Sequence, residues 1–398
     1  MVRIRITLGS VALVAAMSLL VGCSDAPSTD VAPLPVFDGV GDFYDVPDPL
    51  PPGEPGELIR VEPVELRGNE ERAAMRVMYH TRDSFDRDIA ATGVVTYPLG
   101  DAPNGGWPVL SYGHGTSGLA SQCAPSRGAG APPRFGVDGV VVAADYPGLG
   151  PNGQRHAYLA GRSEGHSVID MVRAARRIPD AAAGARWAAL GVSQGGHAVL
   201  FADELARTYA PELELVGTVA VAPGSSLDQV FPDDAESLIA TVTTMALFGI
   251  AEEFPQIDPA DYATPTLLAA SSVLDTGCIN EIGIALAVLP FEQFFFADPR
   301  VTEPARSVVI ENDPGRRATS APILVVQGTA DVVVVPARTD ALLDKLCALG
   351  AVVDLELLPG AGHDNAAVRA SEGSIVPWLA ARFASEAAPS VCAGGVAP

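Results

Sequence analysis

Lysine is nearly absent from this chain: Lys345 is its only one, and arginine supplies the rest of the 25 basic residues, set against 48 acidic ones. No window gathers Lys or Arg into a run. Nucleic-acid binding needs a concentrated basic footprint, so the composition argues against such a partner. The formal charge of −23 speaks to solubility and says little about fold. No internal repeat is visible either. What is plentiful is apolar surface: 48% of the 398 residues are hydrophobic, enough for a substantial core and too many for a wholly disordered chain. The length suits one large domain with an insertion, or two domains.

The N-terminus carries Arg3 and Arg5, then an apolar run from Ile6 to Leu20 broken by Gly9 and Ser10. The run is short for a span of ~20 residues, and Ser24, Asp25 and prolines follow at once. It ends on Leu20-Val21-Gly22-Cys23, which resembles a bacterial lipobox. That resemblance implies a signal peptide over residues 1–22, cleavage before Cys23, a diacylglyceryl group on its sulfur, and an extracytoplasmic protein held on, or released from, a membrane. A plain secretory signal with Cys23 as bystander is the alternative. The four cysteines that remain, 123, 278, 347 and 392, form an even set, as disulfides in an exported protein require. Three connectivities are open. Cys123–Cys278 with Cys347–Cys392 is favoured, because the second pair ties down a C-terminal tail; buried free thiols remain the other reading.

Residues 23–56 are rich in Pro, Asp and Gly and read as a tether, with Phe37, Phe43 and Tyr44 as candidates to dock on the body. Strand-like alternation over 58–66, 73–80 and 89–97 predicts an antiparallel lead-in to a sheet. Short apolar runs follow at 108–111, 139–144, 188–191, 216–222, 323–327 and 352–358, the kind buried on both faces. Helical patterns at 163–178, 197–209 and 338–349 alternate with them. The result is an α/β fold: a mostly parallel sheet with helices on both faces. Its core is expected over 57–224 and 320–385. Residues 225–319 break the rhythm with apolar helical segments at 236–250, 265–274 and 281–296. They are read as a helical cap inserted between two strands, a separate packed domain being the alternative. A tail covers 386–398.

Gly191-Val192-Ser193-Gln194-Gly195 is a G-x-S-x-G sequence between an apolar strand and a helix, the strand–turn–helix setting in which such a serine is exposed above a sheet. The alternative is an ordinary junction whose serine caps the helix. A hydroxyl needs a base to become a nucleophile. Of six histidines (80, 114, 156, 166, 197, 363) only two follow Ser193, and His197 lies one helical turn along, pointing back beside its own helix. His363, in the Gly-rich loop 359–364, is therefore the candidate base. Asp331, just past the apolar run 323–327, stands at the same sheet edge and is the candidate orienter of the imidazole, ahead of Asp340, Asp344, Asp354 and Asp364. The loop Ser111 to Gly118 is the candidate oxyanion loop: Gln194 N–H and Thr116 N–H, with Gly115 as substitute for Thr116, would hold the oxyanion, and His114 would brace the loop. Tyr146, in Asp145-Tyr146-Pro147-Gly148-Leu149-Gly150, is a candidate to line the pocket.

With these segments in view the chain resembles the secretory-lipase-like members of the α/β-hydrolase superfamily over roughly residues 40–385. The resemblance rests on Tyr112-Gly113-His114-Gly115-Thr116, on 145–150, on Gly191 to His197 and on the segments of Asp331 and His363. Val192 departs from the His that many relatives place before the serine. The resemblance implies hydrolysis of lipid or other carboxylic esters through an acyl-enzyme on Ser193, a cap over the site, and no metal or organic cofactor. Acyl transfer to another acceptor by the same residues, and a catalytically silent envelope lipoprotein, are the alternatives; a peptidase would need an added domain or amine-binding motif that is not found.

Overall fold

Two sets of inward-facing residues organise the fold. The computed structural model describes residues 1, 33–66, 71–128, 130–230, 236–363 and 365–392, with backbone alone at 236–237 and 365–372. The lipobox and Cys23 lie outside the described residues. From Leu34 on, the chain forms one compact unit.

Among the described residues the strands are β1 (Leu58–Val64), β2 (Arg72–Arg82), β3 (Asp88–Pro98), β4 (Trp107–Gly113), β5 (Val140–Ala144), β6 (Ala183–Val192), β7 (Glu214–Val221), β8 (Ile323–Gly328) and β9 (Val353–Leu358). They form one sheet in the order β1-β2-β3-β5-β4-β6-β7-β8-β9. The pairs from β1 to β5 are antiparallel; those from β5 through β4, β6, β7 and β8 to β9 are parallel. The mostly parallel sheet expected from the alternation is the one observed, and it is the architecture that the α/β-hydrolase resemblance implied. Strand β8 reads Ile-Leu-Val-Val-Gln-Gly and is buried throughout, as a parallel strand covered on both faces must be.

Side chains alternate between those faces. Ile323 and Val325 join one core with Val109, Val140 and Ala189, while Leu324 and Val326 join another with Leu110, Leu190 and Val219. Helices α1 (Gly161–Arg176) and α2 (Gln194–Tyr209) cover the first face, joined there by Leu342 and Leu346, later in the chain. The opposite face takes Ile375, Trp378 and Leu379 from a C-terminal helix.

Between β7 and β8 the described residues hold helices and no sheet strand: α3 (Glu236–Ile250), α4 (Pro265–Ala270), α5 (Val273–Thr276), α6 (Ile279–Leu286) and α7 (Ala305–Glu311). They gather a core of their own, with Leu247, Phe254, Leu267, Ile282 and Val308, closed beneath by Leu119, Tyr158 and Leu159. After β8 come α8 (Pro336–Ala348) and, after β9, α9 (Asn365–Phe383).

Two details differ from a simple tether and tail. The 23–56 segment is docked from Leu34 on: Val36 bridges Val61, and Phe43 and Tyr44 are buried with Met78 and Ala90. Burying those rings outweighs the Pro/Gly content that suggested a free linker. The C-terminal segment runs back along β9, where Val391 N–H donates to Val353 O at 2.7 Å. Disulfides join Cys123 to Cys278 and Cys347 to Cys392, the favoured pairing.

Candidate active site

The turn from β6 into α2 sets Ser193 at φ 57°, ψ −115°, a region that side chains avoid. Surrounding bonds hold it there. Ser193 N–H donates to Val221 O at 2.9 Å, and its carbonyl accepts from His197 N–H at 3.0 Å and Gly224 N–H at 3.1 Å. At Gly195 a Cβ would collide with the Gly113 carbonyl, so the loop after β4 and the helix start can meet only over a glycine.

His363 stands on the loop after β9, and Asp331 on the loop after β8. The loops are tied together: Ala330 N–H donates to Ala361 O at 3.0 Å and Gly360 N–H to Thr329 Oγ1 at 2.8 Å. His363 Nδ1 lies 2.7 Å from Asp331 Oδ2, and its Nε2 lies 3.0 Å from Ser193 Oγ. The Asp331 side chain is wholly buried while that of His363 keeps 19% exposure, so the outer end of the relay faces the cavity and the inner end does not. The other Asp331 oxygen accepts the N–H groups of Val333 and Val334 at 2.8 and 2.9 Å. Of its rivals, Asp340 and Asp344 lie on α8 and Asp354 within β9; Asp364 lies outside the described residues.

Ser193, Gln194, Gly115, Thr116 and His363 line one cavity of about 630 Å³, roofed by Leu238, Ile239, Val242, Ile279, Gly283 and Ala287 of the inserted helices. A second, mostly apolar cavity, with Arg300 and Asn312 also in its lining, adjoins it; Leu159, Leu227, Ile239, Val242 and Arg338 are common to both walls. Gln194 is the first residue of α2, so its N–H has no intrahelical acceptor. Thr116 is steadied by its Oγ1, 2.9 Å from the Tyr158 hydroxyl. His114 braces the loop: it is buried, its Nδ1–H donates to Gly115 O at 2.7 Å, and burial lowers its basicity.

Tyr146 is placed differently from the pocket-lining position expected. It is fully buried, is not among the residues lining the cavity, and donates its hydroxyl to His114 O at 3.0 Å. Its phenol finds its acceptor under the oxyanion loop, so it supports that loop from below. His197 is a buried helix residue packed on Phe201, away from the Ser193 hydroxyl as its spacing implied, but it belongs to a buried polar cluster with Glu164, Gln194 and His156 that the sequence reading missed. A signal was present: Glu164 is four residues before Val168, on the apolar face of α1, where a carboxylate has no place unless it is partnered.

The fold defines the class, an α/β hydrolase. Among solved structures, Candida antarctica lipase A has a TM-score of 0.74 at 18% identity, over 88% of this chain and 87% of that one. The chain belongs to the secretory lipase family, whose model matches residues 136–390. It is 24% identical to Lipase A of Arthroderma benhamiae over 90% of this chain and 81% of the relative. It is also 24% identical to the trichothecene C-3 esterase of Fusarium sporotrichioides, over 92% and 87%. The family is one of carboxylic ester hydrolases, and its secretory character, with the two disulfides, accords with a place outside the cytoplasm.

Proposed function

We propose that the chain hydrolyses carboxylic esters with an apolar acyl part through an acyl-enzyme on Ser193. The observation that carries this is the relay Asp331–His363–Ser193, with contacts of 2.7 and 3.0 Å, opening on a cavity whose walls set Leu159, Leu227, Leu238, Ile239 and Val242 beside the polar Thr116, Asn280 and Arg338. His363 takes the Ser193 proton as Oγ attacks the ester carbonyl. The N–H groups of Gln194 and Thr116 stabilise the oxyanion, each such donor being worth ~2.7–4 kcal/mol in the transition state. His363 then protonates the leaving alcohol, and the imidazolium is stabilised by Asp331. Water, activated by the same base, releases the acid.

The inserted residues 225–319 act as a cap, and the apolar cavity next to the serine holds the acyl chain; burial is worth about 0.8 kcal/mol per methylene. Two relatives, named as a lipase and as a trichothecene C-3 esterase, fit hydrolysis of a carboxylic ester. A lipid on Cys23 would hold the enzyme at a membrane, with 1–22 as its signal peptide; replacement of Cys23 by Ser should then free it from the membrane fraction. Ser193→Ala is expected to abolish hydrolysis of p-nitrophenyl butyrate and labelling by a fluorophosphonate, with unchanged circular dichroism. Retained turnover would remove Ser193 from the mechanism.

A further inference from the structure

Beneath the nucleophile turn lie four polar side chains that no step above uses. His156, Glu164, Gln194 and His197 are all buried, at no more than 1% exposure. Glu164 stands on the first turn of α1; Gln194 and His197 stand on the first turn of α2, one and four residues past Ser193. One carboxylate joins them. Glu164 Oε1 accepts from Gln194 Nε2 at 2.7 Å and from Leu159 N–H at 3.0 Å, and Oε2 lies 2.8 Å from His197 Nδ1. On its far side His197 Nε2 lies 2.9 Å from the Asn312 carbonyl. Asn312 follows α7, and its side-chain oxygen accepts Gly161 N–H at 2.8 Å, which closes the ring of contacts back to α1.

The two histidines are in different states. His156 Nδ1–H donates to Pro147 O at 2.7 Å, and its Nε2 lies 2.6 Å from the Gln194 Nε2 donor, nearer than its 3.4 Å to Glu164 Oε1, so that nitrogen accepts. His197 faces an acceptor at both nitrogens and so carries two protons. Burial alone would push the Glu164 carboxyl up, but the hydrogen bonds it accepts and the charge of His197 hold it at about 2. Burial would likewise lower His197; the Glu164 bond and charge outweigh it and raise its basicity, and Asp313 adds to the effect.

We propose that Glu164, as the carboxylate of a buried ion pair with the His197 imidazolium, is the positioning residue that fixes Ser193 and the Gln194 N–H in their reactive geometry. The proposal rests on Ser193 being the nucleophile. Its physical basis is the strained turn. A residue held at φ 57° stays there only if its surroundings fix it from more than one side. The Gln194 amide and the His197 ring are the handles on the C-terminal side of the turn, and both end on Glu164. A shift of about 1 Å in an oxyanion donor costs on the order of 100-fold in rate.

The test is made on the whole mature enzyme. In wild type at pH 8, NMR of ¹⁵N-labelled histidine should show one doubly protonated ring, assigned by its loss in His197→Gln. In Glu164→Gln that signal should vanish and kcat for p-nitrophenyl butyrate should fall ~10–100-fold, with KM within about twofold. Wild type no faster than Ser193→Ala ends the reading of Ser193. An active wild type with every histidine neutral at pH 8, or a folded Glu164→Gln enzyme keeping more than half of kcat, overturns the role of Glu164 alone. If Glu164→Gln fails to fold, the wild-type spectrum still decides.

Discussion

His363 Nε2 stands 3.0 Å from Ser193 Oγ although 170 residues separate the two in sequence. Asp331 sets which ring nitrogen carries the proton. One of its oxygens is committed to the N–H groups of Val333 and Val334, which leaves the other to accept from His363 Nδ1–H. Asp331→Asn keeps the shape but, with its oxygen on those N–H groups, turns an NH₂ toward Nδ1. The ring must then carry its proton on Nε2, where it cannot take one from serine. We expect kcat to fall ~10⁴-fold with little change in KM, as measured on p-nitrophenyl butyrate. A loss of less than tenfold would show that Asp331 is not the orienter.

The Cys123–Cys278 bridge reaches the site through its neighbours. Gly118 pairs with Cys278, and Ile279 N–H donates to Ser117 O at 2.9 Å, so the bridge staples the oxyanion loop to α6, whose residues roof the cavity. Replacing both cysteines by serine should cost about 2–5 kcal/mol of stability and lower kcat several-fold. Replacing Cys347 and Cys392, which anchor the C-terminal segment beside β9, should lower stability alone. Thermal midpoints and kcat/KM measured side by side separate the two; equal kinetic effects would contradict the staple.

The parts of the fold that periodicity controls were legible before the structure. Runs such as 323–327 are apolar on both faces, which only a covered parallel strand explains, and the helix at 236–250 matches α3 at both ends. The convergence of Ser193, Asp331 and His363 was legible for a related reason: each follows a strand at one sheet edge, so order and spacing pointed to one another. Helix α9 was not legible, because Pro377 interrupts it. The position of Tyr146 was not either, since the acceptor of its hydroxyl, His114 O, lies on the loop after another strand, 32 residues earlier. Glu164 escaped for the same reason: its partners are 33 residues away at His197 and 30 at Gln194, and no local pattern joins them.

Val242 lies on the wall shared by the catalytic cavity and the inner apolar one. Val242→Phe should fill the passage between them. If the inner cavity takes the far end of the acyl chain, kcat/KM for p-nitrophenyl palmitate should fall by tenfold or more while the acetate is hydrolysed as before. Each methylene denied burial removes about 0.8 kcal/mol, so two lost methylenes already exceed a tenfold effect. A uniform loss across chain lengths would place the acyl chain elsewhere.

Stability should depend on pH through Asp203, which is buried on α2 and accepts from Thr218 Oγ1 and from the N–H groups of Ser320 and Ala321. Burial pushes its carboxyl up from 3.8 to about 7, with those hydrogen bonds opposing and the neighbouring Glu204 adding to the rise. The folded chain therefore keeps this proton over a range in which the unfolded chain has released it. The contribution is fully present below about pH 4, and it is lost as pH rises through about 7. Asp203→Asn removes the titration and keeps an oxygen for the two N–H groups, while Thr218 Oγ1 can accept from the new amide. The variant should match wild type near pH 4 and gain on it with rising pH, by up to about 4 kcal/mol at pH 8. Urea unfolding of both proteins at pH 4, 6 and 8 measures this. A stability difference that does not change with pH would mean that Asp203 is ionised in the folded protein throughout.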